Sequence, residues 1–459
     1  MYNDNKIVLG FAPTRRRMYD ESHALENRRL IAEKVGSICD DDIEIVDIDW
    51  LNEEGILIDV DDVARVTAHF KSKNINALFM PHCNYGTEEV VAMLGRQMSV
   101  PFLLYGPRDA VPPAGGMRVR QTDTQCGLFP SSKALQRYKV PFTYIENSPV
   151  DSEIFAKGLD NFLRAALVVK KTRSMRVGVL NMRPKPFLCV MYNEAELLEK
   201  FGIEVVPVTA AEITSAVENL LKNHPEDVRA VMEEISSQIA VNEAAPGTLE
   251  KAAAFRIAVL DVAKRHNLDA MGSECWSVFP HSLGFMPCSA FGDITNCGLP
   301  IGCETDVMCA ITMAMLSAAS RGKGRPFCAD LTMRHPEDDN AELLWHCGPF
   351  PITGAKPNAN PRLMDNAKGW WEMAHGNMTI ARLDGLDGKY SLLSGEGKSV
   401  DGPPTNGTYS WFKVDHWPTW EKKIIYGPYI HHVAGMHGHW SDALEEACRY
   451  LGFDIDRLT

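Results

Sequence analysis

The chain has 459 residues, 45% hydrophobic and 23% charged, with a formal net charge of −13. That balance belongs to a globular protein with buried cores, and the acidic excess excludes a nucleic-acid or anionic-membrane partner held by overall charge. At about 150 residues per domain the length predicts about three domains; no apolar run approaches the ~20 residues that cross a bilayer, and no secretory apolar region opens the sequence, so the chain reads as cytoplasmic.

Lys6 to Pro13 is apolar and β-branched and then gives way to Thr14-Arg15-Arg16-Arg17, which reads as a buried strand opening into a polar loop. A helical period follows over Asp20–Val35. Next come a strand at Ile43–Ile48, a helix at Asp61–Lys73, a strand at Ala77–Pro81, a helix at Thr87–Gln97 and a strand at Pro101–Tyr105. Strands alternating with helices imply a parallel sheet, whose ligands collect beyond the carboxyl ends of the strands. The loops there are Thr14–Arg17, His82–Gly86 and Gly106–Asp109. No Gly-x-Gly-x-x-Gly follows the first strand, which argues against a dinucleotide site.

Asp151–Val169 reads as an amphipathic helix and Lys170–Arg173 as a solvated boundary. A second α/β series then begins, with strands at Met175–Leu180 and Glu204–Val208. Its helices fall at Glu194–Phe201, Ala210–Asn223, Pro225–Gln238 and Thr248–Asn267, and a strand end at Ala270–Trp276. Beyond Pro349 short runs separated by Gly, Pro, Asp and Asn predict antiparallel strands: Met378–Leu383, Lys389–Ser394, Thr408–Val414 and Lys422–Tyr426. Trp440–Gly452 closes as a helix. The expected fold is α/β: a Rossmann-like domain over 1–172, a second over 173–349 that carries the candidate carboxylates, and a smaller β-rich domain over 350–459.

The chemistry concentrates between Gly302 and Gly348. Glu304 in Cys-Glu-Thr-Asp, Asp330 in Ala-Asp-Leu and His346 in Trp-His-Cys each sit at the edge of an apolar segment, and a helix-like run, Val307–Ala319, separates the first two. Two carboxylates and a histidine form a set that holds a divalent ion, and oxygen with imidazole nitrogen suits Mn²⁺, Co²⁺ or Mg²⁺ better than a thiolate zinc site. The residue types alone leave a second reading equally open, in which Glu304 merely favours a helix N-terminus. A histidine cluster, His431, His432, His437 and His439, lies near the C-terminus. Adjacent strand residues face opposite sides, so of His431 and His432 one is expected at a metal and the other at substrate or a subunit neighbour. Of the twelve cysteines many, Cys189, Cys309 and Cys328 among them, read as small buried hydrophobes, and the spacings of Cys288, Cys297, Cys303 and Cys309 match no C-x-x-C metal pattern. Of the tryptophans Trp276, Trp417 and Trp420, whose rings could stack on a ligand face, Trp417 is the candidate.

In order and spacing the motifs resemble the family of L-fucose and L-arabinose isomerases, metal-dependent aldose–ketose isomerases. The resemblance rests on Gly10-Phe11-Ala12-Pro13 with Arg16-Arg17-Met18, on Cys83-Asn84-Tyr85-Gly86 with Glu88, on Cys303-Glu304-Thr305-Asp306, on Ala329-Asp330 and on His431-His432. It implies Glu304 and Asp330 as catalytic acid/base residues and metal ligands, and His432 as a further ligand. His346 resembles a ligand of the arabinose branch that fucose isomerases do not use. Arg16, Arg17, Tyr85, Trp417 and His431 become substrate-binding candidates. The implied reaction passes through an ene-diol between a chelated aldose and its ketose; an anionic sugar stays an option because of the arginines. A homotrimer or homohexamer is implied as well. A metal-dependent sugar aldolase or epimerase is the alternative, and a non-catalytic sugar-binding protein the third.

Overall fold

The computed structural model describes residues 5–109 and 120–458. They divide into two compact units, meeting in the sequence at Lys170/Lys171. The first contains β1 (Ile7–Phe11), α1 (Glu21–Ile38), β2 (Ile43–Val46), α2 (Val63–Ser72), β3 (Ala77–Pro81), α3 (Glu88–Met98), β4 (Phe102–Tyr105), α4 (Thr124–Arg137), β5 (Thr143–Tyr144) and most of α5 (Glu153–Arg173). All strand pairs are parallel, in the order β2-β1-β3-β4-β5. Every residue of β3 and β4 is buried, because crossover helices cover both faces of a parallel sheet. Asp20 caps α1 by accepting from the His23 amide, so the loop of three arginines is pinned between a strand end and a capped helix. The helix α4, with Pro130 inside it, is an addition to the expected elements.

The second unit opens with β6 (Arg176–Leu180), α6 (Glu194–Phe201), β7 (Glu204–Val208), α7 (Ala210–Asn223), α8 (Pro225–Ser236), α9 (Thr248–His266), β8 (Ala270–Ser273), α10 (Val278–Ser282), α11 (Cys288–Asn296), β9 (Ile301–Cys303) and α12 (Val307–Ala319). Its parallel sheet runs β7-β6-β8-β9. There follow β10 (Phe327–His335), β11 (Asp338–His346), β12 (Arg362–Leu363), β13 (Gly369–Glu372), β14 (Gly376–Leu386), β15 (Lys389–Val400), β16 (Thr408–Lys413), α13 (Trp417–Tyr426), β17 (His432–His437), α14 (Ser441–Leu451) and β18 (Asp454–Leu458). They form a sheet in the order β12-β13-β16-β11-β10-β17-β14-β15-β18. Because β15 also pairs with β16, six strands close into an antiparallel barrel. The helix α12 is apolar nearly all round, and that composition requires cover on every side. It packs on β8 and β9 on one hand and on β10, β14 and β17 on the other.

Three expectations change. The β-rich sheet begins at Phe327, so Asp330 and His346 lie on barrel strands ahead of the expected boundary at 349, not at ends of the parallel sheet. Lys422–Tyr426 is helical, the last half of α13: Pro418 in its first turn fixes a helical φ and lacks the amide a strand would need. Cys189 is exposed, whereas Cys309 and Cys328 are buried as expected, and all twelve cysteines are free thiols. Among the described residues no helix is long and apolar enough to cross a membrane.

Candidate metal centre

Beyond β9 the chain turns sharply. Glu304 and Thr305 both adopt left-handed backbone, with φ of 59° and 60°, a conformation that costs a residue with a Cβ about 1–2 kcal/mol. The turn is held by Thr305 N–H donating to Ser273 O (3.1 Å) and Asp306 N–H to Cys303 O (3.0 Å). Asp306 then caps α12, its Oδ1 accepting from the Cys309 amide at 2.9 Å. Glu304 is thereby projected from the carboxyl edge of the parallel sheet toward the barrel.

The barrel supplies the rest through its register. Asp330 on β10 lies directly across from His432 on β17 and from Trp345 on β11, which places His346 one residue along. His432 Nε2 is the hub: Glu304 Oε2 is 3.1 Å from it and Asp330 Oδ1 3.3 Å. His346 Nε2 lies 4.0 Å from Asp330 Oδ1, and so does His431 Nε2. Candidate ligand atoms of Glu304, His346 and His432 fall within 4.8 Å of one another, and those of Asp330, His431 and His432 do the same. The strand-alternation argument therefore does not separate the two histidines. His431 precedes β17 in a bend, where the two-residue period does not apply, and the two rings sit 4.3 Å apart. His437 and His439 lie elsewhere, on Ala374 O and Glu396.

Two buried atoms in this group, Asp330 Oδ1 and His346 Nε2, have no hydrogen-bond partner. Buried polar atoms are ordinarily paired, and this pair of oxygen and nitrogen lone-pair donors beside His432 Nε2 fits a divalent cation. His432 Nδ1 faces Asp306 Oδ2 at 2.8 Å, which fixes the ring. Asp306 Oδ2 also accepts from the fully buried Arg382, and Arg382 is held in turn by Asp384. Burial pushes the Asp306 carboxyl up, but Arg382 and the hydrogen bond with His432 outweigh it and hold the acid well below its usual range. Glu304 is likewise held low: burial raises it, and His432, His346 and Trp276 together more than offset that. Both carboxylates stay ionised.

Trp276 Nε1 donates to Glu304 Oε1 at 2.9 Å, and Phe187 lies edge-on to Trp276 and 6.2 Å from the His432 ring. Trp276 is thus the tryptophan at the centre, whereas Trp417 is buried and stacked on Trp420 at 6.0 Å. Trp276→Phe, which removes that N–H together with part of the indole but keeps an aromatic ring, is expected to cut kcat about tenfold with the melting temperature lowered by no more than a few degrees; steady-state assays and melting curves check it.

A cavity of about 360 Å³ adjoins the centre through His431 and Leu331; Trp417, Glu342 and Glu421 line it. Burial, with Glu421 adding to it against Arg334, raises the Glu342 carboxyl to about 7. An acid raised in the folded state binds its proton there after the unfolded chain has released it. Stability is therefore lost as pH rises from about 4.5 to about 7 and stays reduced above that. Glu342→Gln should melt at least about 2 °C higher than the native protein at pH 8 and equally at pH 4, by scanning calorimetry at both values.

In the first unit Arg16 lies over the Tyr85 ring at 4.3 Å, and Tyr85 stacks on Tyr19. Arg17 turns away to an exposed pair with Asp59, and Arg15 is buried against Glu54 and Glu21. The sequence reading brought in Arg16 and Tyr85 together, as the structure has them; it missed Asp306, Arg382 and Phe187 and passed over Trp276. Arg382 carried a readable signal: Asp384, two residues on, shares its strand face, the spacing of a buried ion pair.

Residues 10–173 match the N-terminal domain model of fucose/sulfoquinovose isomerase, and residues 366–459 match the C-terminal domain model of L-fucose isomerase. The sulfoquinovose isomerase of Alkalicoccus urumqiensis is 24% identical over 342 residues, 72% of this chain and 74% of that one. That of Priestia aryabhattai is 23% identical over 380 residues, 78% and 83% of the two chains.

Proposed function

The chain belongs to the L-fucose isomerase-like family, and on that premise we propose that it is an aldose–ketose isomerase working through a divalent ion held by Glu304, Asp330 and His432, with His346 as the fourth ligand. The observation that carries the centre is the pair of orphaned buried atoms, Asp330 Oδ1 and His346 Nε2, beside His432 Nε2. Mn²⁺ is the first candidate, Co²⁺ and Mg²⁺ the next, because oxygen and imidazole donors suit them. Such an ion, when bound, supplies Lewis acidity that polarises a carbonyl and acidifies the neighbouring C–H.

The protein's own groups do the proton work. One of Glu304 and Asp330 takes the C2 proton of the open-chain sugar and returns it to C1, and the other moves the hydroxyl proton between O1 and O2. Trp276 fixes the Glu304 carboxylate in one rotamer, and His432 is fixed by Asp306. His431 and the cavity beside it offer the room for the sugar chain. Arg16, Arg17 and Tyr85 complete substrate binding in this reading, as the neighbouring subunit's contribution in a homotrimer or homohexamer, and mass photometry showing only monomer would oppose that part. The cytoplasm is the proposed compartment.

The named relatives act on sulfoquinovose, a sulfonated sugar, and a sugar with an anionic group is one reading of the substrate. Glu342 and Glu421 in the cavity favour a second, a neutral sugar whose hydroxyls those acids accept. A panel of neutral and sulfonated aldoses with Mn²⁺ and with chelator, read by NMR of products, separates them. Ketose formation that chelator stops is expected; two shorter fragments, a C2 epimer, or binding without turnover would each replace the isomerase reading.

A further inference from the structure

A second cavity, of about 670 Å³, opens at the carboxyl ends of β6 and β7. Val179, Val190 and Val208 give it apolar walls, and Asn181, Glu194 and Thr305 supply polar groups. Two of these are orphans: Thr305 is 2% exposed and its Oγ1 has no partner, and Asn181 Nδ2 is buried without one. One is an amide donor and the other a hydroxyl that can donate or accept, so an occupant must accept at Asn181 and can do either at Thr305.

Side-chain caps already occupy several first-turn amides of the helices at this cavity. Asn181 Oδ1 already accepts from the Ala210 amide at 3.1 Å and Thr209 Oγ1 from the Glu212 amide, both in the first turn of α7; Asn193 Oδ1 accepts from the Glu196 amide in α6. Glu194 adds a negative charge, and one amino group of the Arg183 guanidinium donates to the Pro184 and Lys185 carbonyls. A phosphate would find those three amides taken and a carboxylate beside them. A molecule with several hydroxyls and an apolar C–H face meets the same lining well, with Tyr192 as a surface for that face.

We infer that this cavity binds a neutral polyhydroxylated small molecule, a monosaccharide or alditol, at a site separate from the metal centre. The inference does not rest on the metal or the reaction proposed above. Thr305 directly follows Glu304, and the segment from Asn181 to Tyr192 that lines the cavity also carries Phe187 to the His432 ring.

The test uses D-mannitol, which has no carbonyl to isomerise, titrated into the full-length protein and followed by saturation-transfer NMR. Asn181→Asp keeps the oxygen that accepts from Ala210 and removes the free donor, and Ala210→Trp narrows the mouth. Each is expected to weaken mannitol binding about tenfold or more, whereas chelator and Glu304→Gln leave it in place. Binding that disappears with chelator or in Glu304→Gln but survives Asn181→Asp would put the alditol at the metal centre and overturn the inference. So would a mannitol-soaked crystal holding only water against Asn181 and Thr305.

Discussion

Glu304→Gln is expected to lower kcat at least about 10³-fold in manganese-containing assays, with the melting temperature within about 2 °C of the native protein. The substitution keeps shape and the acceptor oxygen while removing the charge and the proton-accepting capacity. The Trp276 indole can still donate to the amide oxygen, so the left-handed turn and the start of α12 are preserved. Because Glu304 is assigned two duties, metal content must be read with turnover. A variant that binds Mn²⁺ normally yet is inactive isolates the proton transfer, and one that loses both metal and activity assigns the loss to ligation. Near-native turnover with metal present would end the assignment of Glu304.

The second large effect belongs to a residue outside the reacting set. Asp306→Ala should destabilise the second unit by about 3–5 kcal/mol, because it strips a buried ion pair from one side of Arg382 and leaves His432 Nδ1 unmatched. The cap of α12 is lost with it. Asp306→Asn keeps one oxygen for the cap on the Cys309 amide but sets an amide donor against His432 Nδ1 and Arg382, so it should melt above the alanine variant yet bind Mn²⁺ about 10–100-fold more weakly. Calorimetry and metal titration read the two effects apart. An alanine variant with unchanged melting would show that Asp384 alone suffices for Arg382.

Much of this architecture was legible in advance because the segments are strongly patterned. The strand Glu204–Val208 and the helices Glu194–Phe201, Ala210–Asn223 and Val307–Ala319 coincide with their expected limits. Glu304, Asp330 and His346 were readable as a candidate set, since each interrupts an apolar run, and His432 joined them through the resemblance. Partnership was not: that Asp306 faces His432, or that Trp276 rather than Trp417 meets a carboxylate, depends on approaches between residues far apart in the chain. The Phe327–His346 hairpin was misplaced for a related reason. A buried strand reads alike in a parallel sheet and in a barrel, and only pairing partners distinguish them. At Lys422–Tyr426 a local apolar run was taken without Pro418 ahead of it.

Closure of the barrel by β15 on β16 has a bearing on how the centre tolerates change. Asp330 and His432 are cross-strand neighbours, so their encounter is set by how many residues lie between Phe327 and Asp330 and between His432 and Gly435. Deleting a single residue from either stretch turns the carboxylate or the imidazole to the opposite wall, and a ring of six paired strands has no loose edge along which to slide back. Insertions between His335 and Asp338, at the turn joining β10 to β11, leave that count untouched. That turn can therefore be lengthened without moving the centre, while the spacing within the two strands cannot be edited one residue at a time.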